Sequence, residues 1–171
     1  QYNNFEVVES NVYSIFDYLY KQYTTERKLF LNKNNRKLEY DSENLMYTLL
    51  EEILKNDDYK MLDFVCHFPV NMLIKNPYLL NDDECLYAMN PATHVDFLVY
   101  NRISKRAILA IEVDGYAFHQ KETTQAKRDL LKNHIFELYY IPLLRFSTTG
   151  SGEREKIINM LNKILNIGDL K

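Results

Sequence analysis

The sequence predicts an α/β domain of the α+β kind: a four-stranded mixed sheet flanked by helices, with an extra N-terminal helix. Three observations predict it. Two apolar runs, "HVDFLVYN" and "AILAIEVD", stand either side of the short polar turn "RISKR" and read as an antiparallel hairpin. A helical stretch at 121–139 then leads to the apolar run "IPLLRF", the kind of crossover that a parallel strand needs. Helical periodicity lies both before the first strand and after the last. A length of 171 residues suits one domain. The expected division is a helical extension over 1–38 and the sheet domain over 39–171.

Each element has its own signal. Residues 9–34 are expected to be a helix, because Val12, Ile15, Phe16 and Leu19 recur at spacings of three and four. "SENLMYTLLEEILKN", residues 42–56, is a second helix that Asp41 or Ser42 can cap. "LDFVCHFPV" reads as a strand ending near Pro69. Residues 71–93 carry Asn-Pro near both ends, a turn signal, and are expected to be an irregular excursion or a lid. The hairpin follows. In the helix after it, Leu131, Ile135 and Leu138 are core candidates. "TTGSG" breaks the chain after "IPLLRF", and "EREKIINMLNKIL" is a closing amphipathic helix.

Composition narrows the function classes. Hydrophobic residues are 46% and charged residues 26%, as in ordinary globular proteins. No apolar stretch reaches the length of a membrane span. The N-terminus, "QYNNFEVVES", has no signal-peptide pattern and no initiator Met, which suggests a segment of a longer protein. Cys66 and Cys85 match no zinc or redox spacing, so reduced thiols in the cytoplasm are expected. A net charge of −3 argues against an overall basic coat for nucleic acid. It leaves room for a local basic groove: Lys121, Lys127, Arg128 and Lys132 cluster, and "ERKLFLNKNNRK" is a second basic zone.

The candidate chemistry sits where the hairpin ends. A turn around Ile103–Lys105 places Leu98 opposite Ala110 and Asp96 opposite Glu112. Opposed Cβ atoms lie roughly 4.5–5.5 Å apart. Asp114, two residues beyond Glu112, shares its face. Three carboxylates at the end of an apolar sheet repel one another and favour a held proton. A divalent cation relieves both effects, and Mg²⁺ takes one or two carboxylates plus waters and phosphates. The alternative is that these groups lie hydrated at fraying strand ends. His119 adds a possible base or ligand, and Gly115 a backbone freedom between them. Gln125, Arg128 and Lys132 share a helical face. If that face borders the carboxylates, Arg128 and Lys132 can hold phosphates; otherwise it is a solvated face.

Two stretches, "HVDFLVYNRISKRAILAIEVDGYAFH" and "AKRDLLKNHIFELYYIPLLRFST", resemble the PD-(D/E)XK nuclease-like superfamily. The likeness is to the endonuclease-like domains at the C-terminus of bacterial superfamily-one DNA helicases, and to very-short-patch mismatch-repair endonucleases. It rests on the Asp of "VDF", the run "IE-x-DG-x-x-F-H", the "RD-x-x-K" helix and the strand ending "LLRFS", and spans about Ser42 to Gly152. The resemblance implies a restriction-endonuclease-like core over 39–171 and a metal-dependent DNA endonuclease that uses Mg²⁺ or Mn²⁺. Asp96 and Glu112 would be metal ligands, with the Val113 carbonyl a third donor. Asp114 stands where many members carry a catalytic Lys, and Lys132 or Lys127 could substitute for it. His119 matches a base of the mismatch-repair relatives. Glu43 matches a helix Glu that assists the metal, with Glu51 as the fallback. Gln125, Lys127, Arg128 and Lys132 would contact DNA. The implied partners are DNA and a helicase domain in the same parent chain, with no membrane. A nuclease-fold module of weak or lost catalysis, positioning the helicase on DNA, is the alternative. No G-x-x-x-x-G-K-[ST] loop occurs, so ATPase activity would lie elsewhere in that parent chain.

Overall fold

A computed structural model describes residues 22, 25–26, 38–114, 123–147 and 151–167. The chain divides into two units, 1–44 and 45–171. In the first, Gln22, Thr25 and Glu26 are helical; the rest of the helix expected over 9–34 lies outside the described residues, as does most of the second basic zone. Asn44 ties its side chain to both the amide and the carbonyl of Leu38.

The second unit is built on the expected sheet, and the fold is α+β. The strands are β1 (Leu62–Pro69), β2 (His94–Asn101), β3 (Ala107–Asp114) and β4 (Leu143–Ser147), in that spatial order. β1–β2 and β2–β3 pair antiparallel, and β3–β4 pairs parallel. The described helices are α1 (Asp41–Ile53), which begins in the first unit, α2 (Asp82–Met89), α3 (Thr123–Leu138) and α4 (Glu153–Leu165). α3 supplies the crossover that lets β4 run parallel to β3.

β3 is buried along its middle because it lies inside the sheet with both faces covered, which explains its unbroken apolar run. On one face, Leu98 and Ala110 join Ala88 of α2 and Ile135 and Phe136 of α3 in a buried cluster. On the other, Tyr47 of α1 packs edge-on against Phe64 (centroids 4.9 Å), which adjoins Phe97. α4 buries Ile157 and Leu161, contacts β3, and is tied to α1 by an Arg154–Glu52 ion pair. Gly152, before its first turn, has φ +83°, a conformation that favours glycine.

One expectation is corrected. Residues 71–93 are not an irregular excursion. They hold two short 3₁₀ turns and α2, whose N-terminus is closed by a capping box: Asn81 accepts from the Glu84 amide and Glu84 accepts from the Asn81 amide. α2 packs on α3, and buried Glu84 bonds His134 across that contact.

Candidate functional site

Over Phe97–Val99 the hairpin register is the expected one, with Leu98 facing Ala110 and Phe97 facing Ile111; towards the turn it shifts by one residue, and Tyr100 pairs with Ala107. Asp96 and Glu112 are the next pair in this register. There the regular pairing gives way, and Asp96 Oδ2 accepts the Val113 amide at 2.8 Å. On the other side of β3, Glu112 is in register with Arg145 and Asp114 with Ser147.

A cavity of about 540 Å³ opens at this end of the sheet. Its wall brings together Asp96, Glu112, Asp114, Gln125, Lys127, Arg128 and Lys132. These residues come from β2, β3 and α3, and every one was a sequence candidate. Val113 is adjacent through its amide. Gly115, His119 and Lys121 lie outside the described residues. Glu43 is buried in the first turn of α1, within the N-terminal unit, and Glu51 is half-buried.

The electrostatics correct the picture of unrelieved carboxylate repulsion. The Lys132 ammonium bonds Glu112 Oε1 and Oε2 at 2.9 and 2.8 Å and the His94 carbonyl at 2.9 Å. Lys132 is 8% exposed, so it is an internal partner of Glu112 rather than a phosphate-facing side chain. Arg145 does the same for its neighbours: Nη1 lies 3.3 Å from Asp114 Oδ1 and 3.2 Å from Asp129 Oδ1. Its Nε bonds Asn133, while buried Nη2 has no hydrogen-bond partner among the described residues. Burial still raises the Glu112 pKa. Lys132 opposes the rise, the Asp96 charge adds to it, and Arg145 works with Lys132. Tyr87, also in the wall, is pushed up to about 12 by burial and by the charges of Glu112 and Asp129.

At the rim, Lys127 is engaged with Asp83 at 2.8 Å, and Gln125 bonds Asp129. Arg128 is exposed and lines the same cavity. Among the participants not singled out by sequence reasoning are Arg145, Tyr87 and the His94 carbonyl. Arg145 had a readable signal, since a cation inside the short apolar strand "LLRFS" needs a partner. The other two had none.

Among the described residues, the wall carries five carboxylates, counting Asp83 and Asp129, against three cations. Four of the five are ion-paired, Asp83 with Lys127, Glu112 with Lys132, and Asp114 and Asp129 with Arg145. The described residues contain no cluster of three or more His, Cys, Asp or Glu arranged to hold a metal. Mg²⁺ does not require one, since one or two carboxylates with waters suffice. The donors match such an ion in kind, being the hard carboxylate oxygens of Asp96 and Glu112, and both Glu112 oxygens are engaged by Lys132.

Among the described residues, no helix is long and apolar enough to cross a membrane. A family model described as a protein of unknown function (DUF2726) matches residues 35–164. No curated protein and no solved structure matches the chain.

Proposed function

The chain belongs to the DUF2726 family, and we propose that it is a metal-dependent DNA endonuclease domain of the PD-(D/E)XK kind, carried by a helicase-containing parent chain. One observation carries the reading. Residues that the motif resemblance selects from three separate stretches line one acidic cavity, with a buried lysine among them. A lysine is the group the motif lacks at Asp114; Lys132 brings an ammonium from α3 to the same wall, with its three N–H donors on Glu112 and the His94 carbonyl.

Asp96 and Glu112, with the Val113 carbonyl, would hold Mg²⁺ or Mn²⁺. When bound, the ion supplies a more acidic water and charge stabilisation on the phosphate. The protein's own groups do the rest. The Val113 amide fixes Asp96. Lys132, held by the His94 carbonyl, orients Glu112 and places a positive charge at the cavity wall. Arg145 holds Asp114 and Asp129. Exposed Arg128 is suited to a DNA phosphate at the mouth. His119 is the base the resemblance implies.

The second reading, a DNA-holding module with weak catalysis, is favoured by the engagement of both Glu112 oxygens with Lys132. The test is calorimetry and thermal melting with Mn²⁺ or Mg²⁺, alongside cleavage of supercoiled, linear and single-stranded DNA. The ion is expected to raise the melting temperature and to be required for cleavage. Asp96→Asn is expected to abolish both effects. Absence of carboxylate-dependent metal binding at millimolar concentrations would overturn the site. Metal and DNA binding without cleavage of any form would leave the second reading in its place.

A further inference from the structure

A second cavity, of about 590 Å³, opens at the opposite end of β2. Tyr100 in its wall is four residues from Asp96 on that strand, roughly 13 Å away at about 3.3 Å per residue. Its floor is apolar: Phe68, Leu73, Leu98 and Ile141. Three tyrosines, Tyr100, Tyr139 and Tyr140, stand in the wall. Among the described residues of the lining, the charged ones are Lys75, Lys105 and Arg106, with no carboxylate. In a chain of net charge −3, three cations without a carboxylate around an apolar floor amount to an electrostatic signature. It is the reverse of the acidic cavity at the other end of the strand.

The rings are held in different ways. Tyr139 donates its hydroxyl to the Asn76 carbonyl at 2.5 Å, which fixes its ring. Lys105 Nζ lies 5.5 Å from the Tyr100 ring centroid, a cation–π contact that keeps a positive charge beside an aromatic face. Tyr140 is 89% exposed at the lip. Both Tyr140 (φ +55°) and Lys105 (φ +57°) adopt left-handed backbone that non-glycine residues seldom take. Each belongs to a chain reversal: Tyr140 closes the C-terminus of α3, with its amide bonded to the Glu137 carbonyl and the Ile141 amide to the Phe136 carbonyl, and Lys105 sits in the β2–β3 turn.

We propose that this cavity binds a nucleotide: a flat aromatic base against the tyrosines and apolar floor, with its phosphate on Lys105, Arg106 and Lys75. Aromatic side chains stack on any base, and a neighbouring cation neutralises the phosphate. The volume falls within the 300–1,000 Å³ typical of small-ligand sites. The same chemistry is met by a free nucleotide or by one nucleotide of a single strand. The proposal does not depend on cleavage at the acidic cavity.

The test is calorimetric titration of the full chain with dAMP, deoxyadenosine, a ten-residue oligo(dA) and decanoate. dAMP is expected to bind, and deoxyadenosine to bind at least tenfold more weakly. Equal affinity for dAMP and the oligonucleotide assigns the site to a free nucleotide; tighter binding of the oligonucleotide assigns it to a single strand. Lys105→Glu with Arg106→Glu is expected to weaken dAMP at least tenfold, and Tyr140→Ala roughly fivefold, the loss of one stacking partner. All three side chains are exposed, so the variants should fold, which circular dichroism checks. Asp96→Asn should leave dAMP binding unchanged, which separates this site from the metal site. Binding of decanoate without dAMP, no binding of either nucleotide probe, or indifference to these variants would overturn the proposal.

Discussion

Lys132→Met keeps most of the apolar stem of a buried side chain and deletes the ammonium that holds both oxygens of Glu112. The side chains of the pair are 11% and 9% exposed, so water screens little of the interaction. Removing one partner of such a pair costs about 3–5 kcal/mol, because the other charge is stranded in low dielectric. At about 2–4 °C per kcal/mol for a chain of this size, the melting temperature should fall by about 6–20 °C. The loss should also depend on pH. Burial already raises the Glu112 pKa and Lys132 opposes the rise, so without Lys132 it climbs further. A group with a raised folded pKa contributes stability that is full below its unfolded pKa and lost as pH rises through the folded one. The variant's deficit should therefore be largest at pH 8 and shrink towards pH 5, as Glu112 takes up a proton. Urea unfolding across that range measures it. Adding Glu112→Gln should recover part of the loss at pH 8, because no buried charge is then stranded. A deficit below about 1 kcal/mol, independent of pH and additive in the double variant, would refute a coupled buried pair.

Glu84 carries the opposite sign. Burial works to raise its pKa, but the Asn81 amide and His134 outweigh it and the net shift is downward. Its contribution is present above the unfolded carboxylate pKa and lost as pH falls through the folded one. Glu84→Gln should flatten the acid limb of the stability profile below about pH 5 in urea unfolding; an unchanged limb would exclude Glu84 as its source. At the mouth of the acidic cavity, Arg128→Ala should weaken DNA binding and lower the salt slope by about one counterion. Anisotropy titrations over a salt series check this, and an unaltered slope would remove Arg128 from the DNA contacts.

The hairpin was legible because its information is local. Two apolar runs about one short turn fix which residues oppose, and a period of two then sets Asp96 and Glu112 side by side. The rotation of α3 was not legible in the same way, since three apolar candidates leave its inner face loosely defined. Of those three, Ile135 is buried while Leu131 and Leu138 are half-buried. Lys132 shares the inward stripe with Ile135 and Phe136 at spacings of three and four. A lysine on that stripe demanded a buried anion, and the nearest strand carried one. Read that way, the sequence held the pair, but reading it needed the knowledge that α3 lies over β3. α2 was missed for a different reason. Its apolar face is narrow, and the Asn-Pro turns at either end drew attention from the capping signature Asn81-x-x-Glu84.

Net charge concealed the arrangement most. A balance of −3 over 171 residues describes neither cavity, because the charges are sorted along the strands. The carboxylates gather where β2 begins and β3 ends, and Lys105 and Arg106 stand at the turn that joins them. Antiparallel pairing produces this sorting, since it puts the end of β3 beside the start of β2. Residues 16 and 18 apart in sequence, Asp96 with Glu112 and with Asp114, thus meet at one cavity, and Lys105 and Arg106 stay at the other. A hairpin that slipped by one residue would turn Glu112 away from Lys132 and expose Ile111 to the cavity. Register therefore sets both the packing of the sheet and the charge of the candidate site. Moving Glu112 to the opposite face by inserting one residue into β3 should cost stability and metal binding together, whereas Asp96→Asn should cost metal binding alone. Loss of the two in parallel for both variants would mean that the carboxylates serve the fold rather than a ligand.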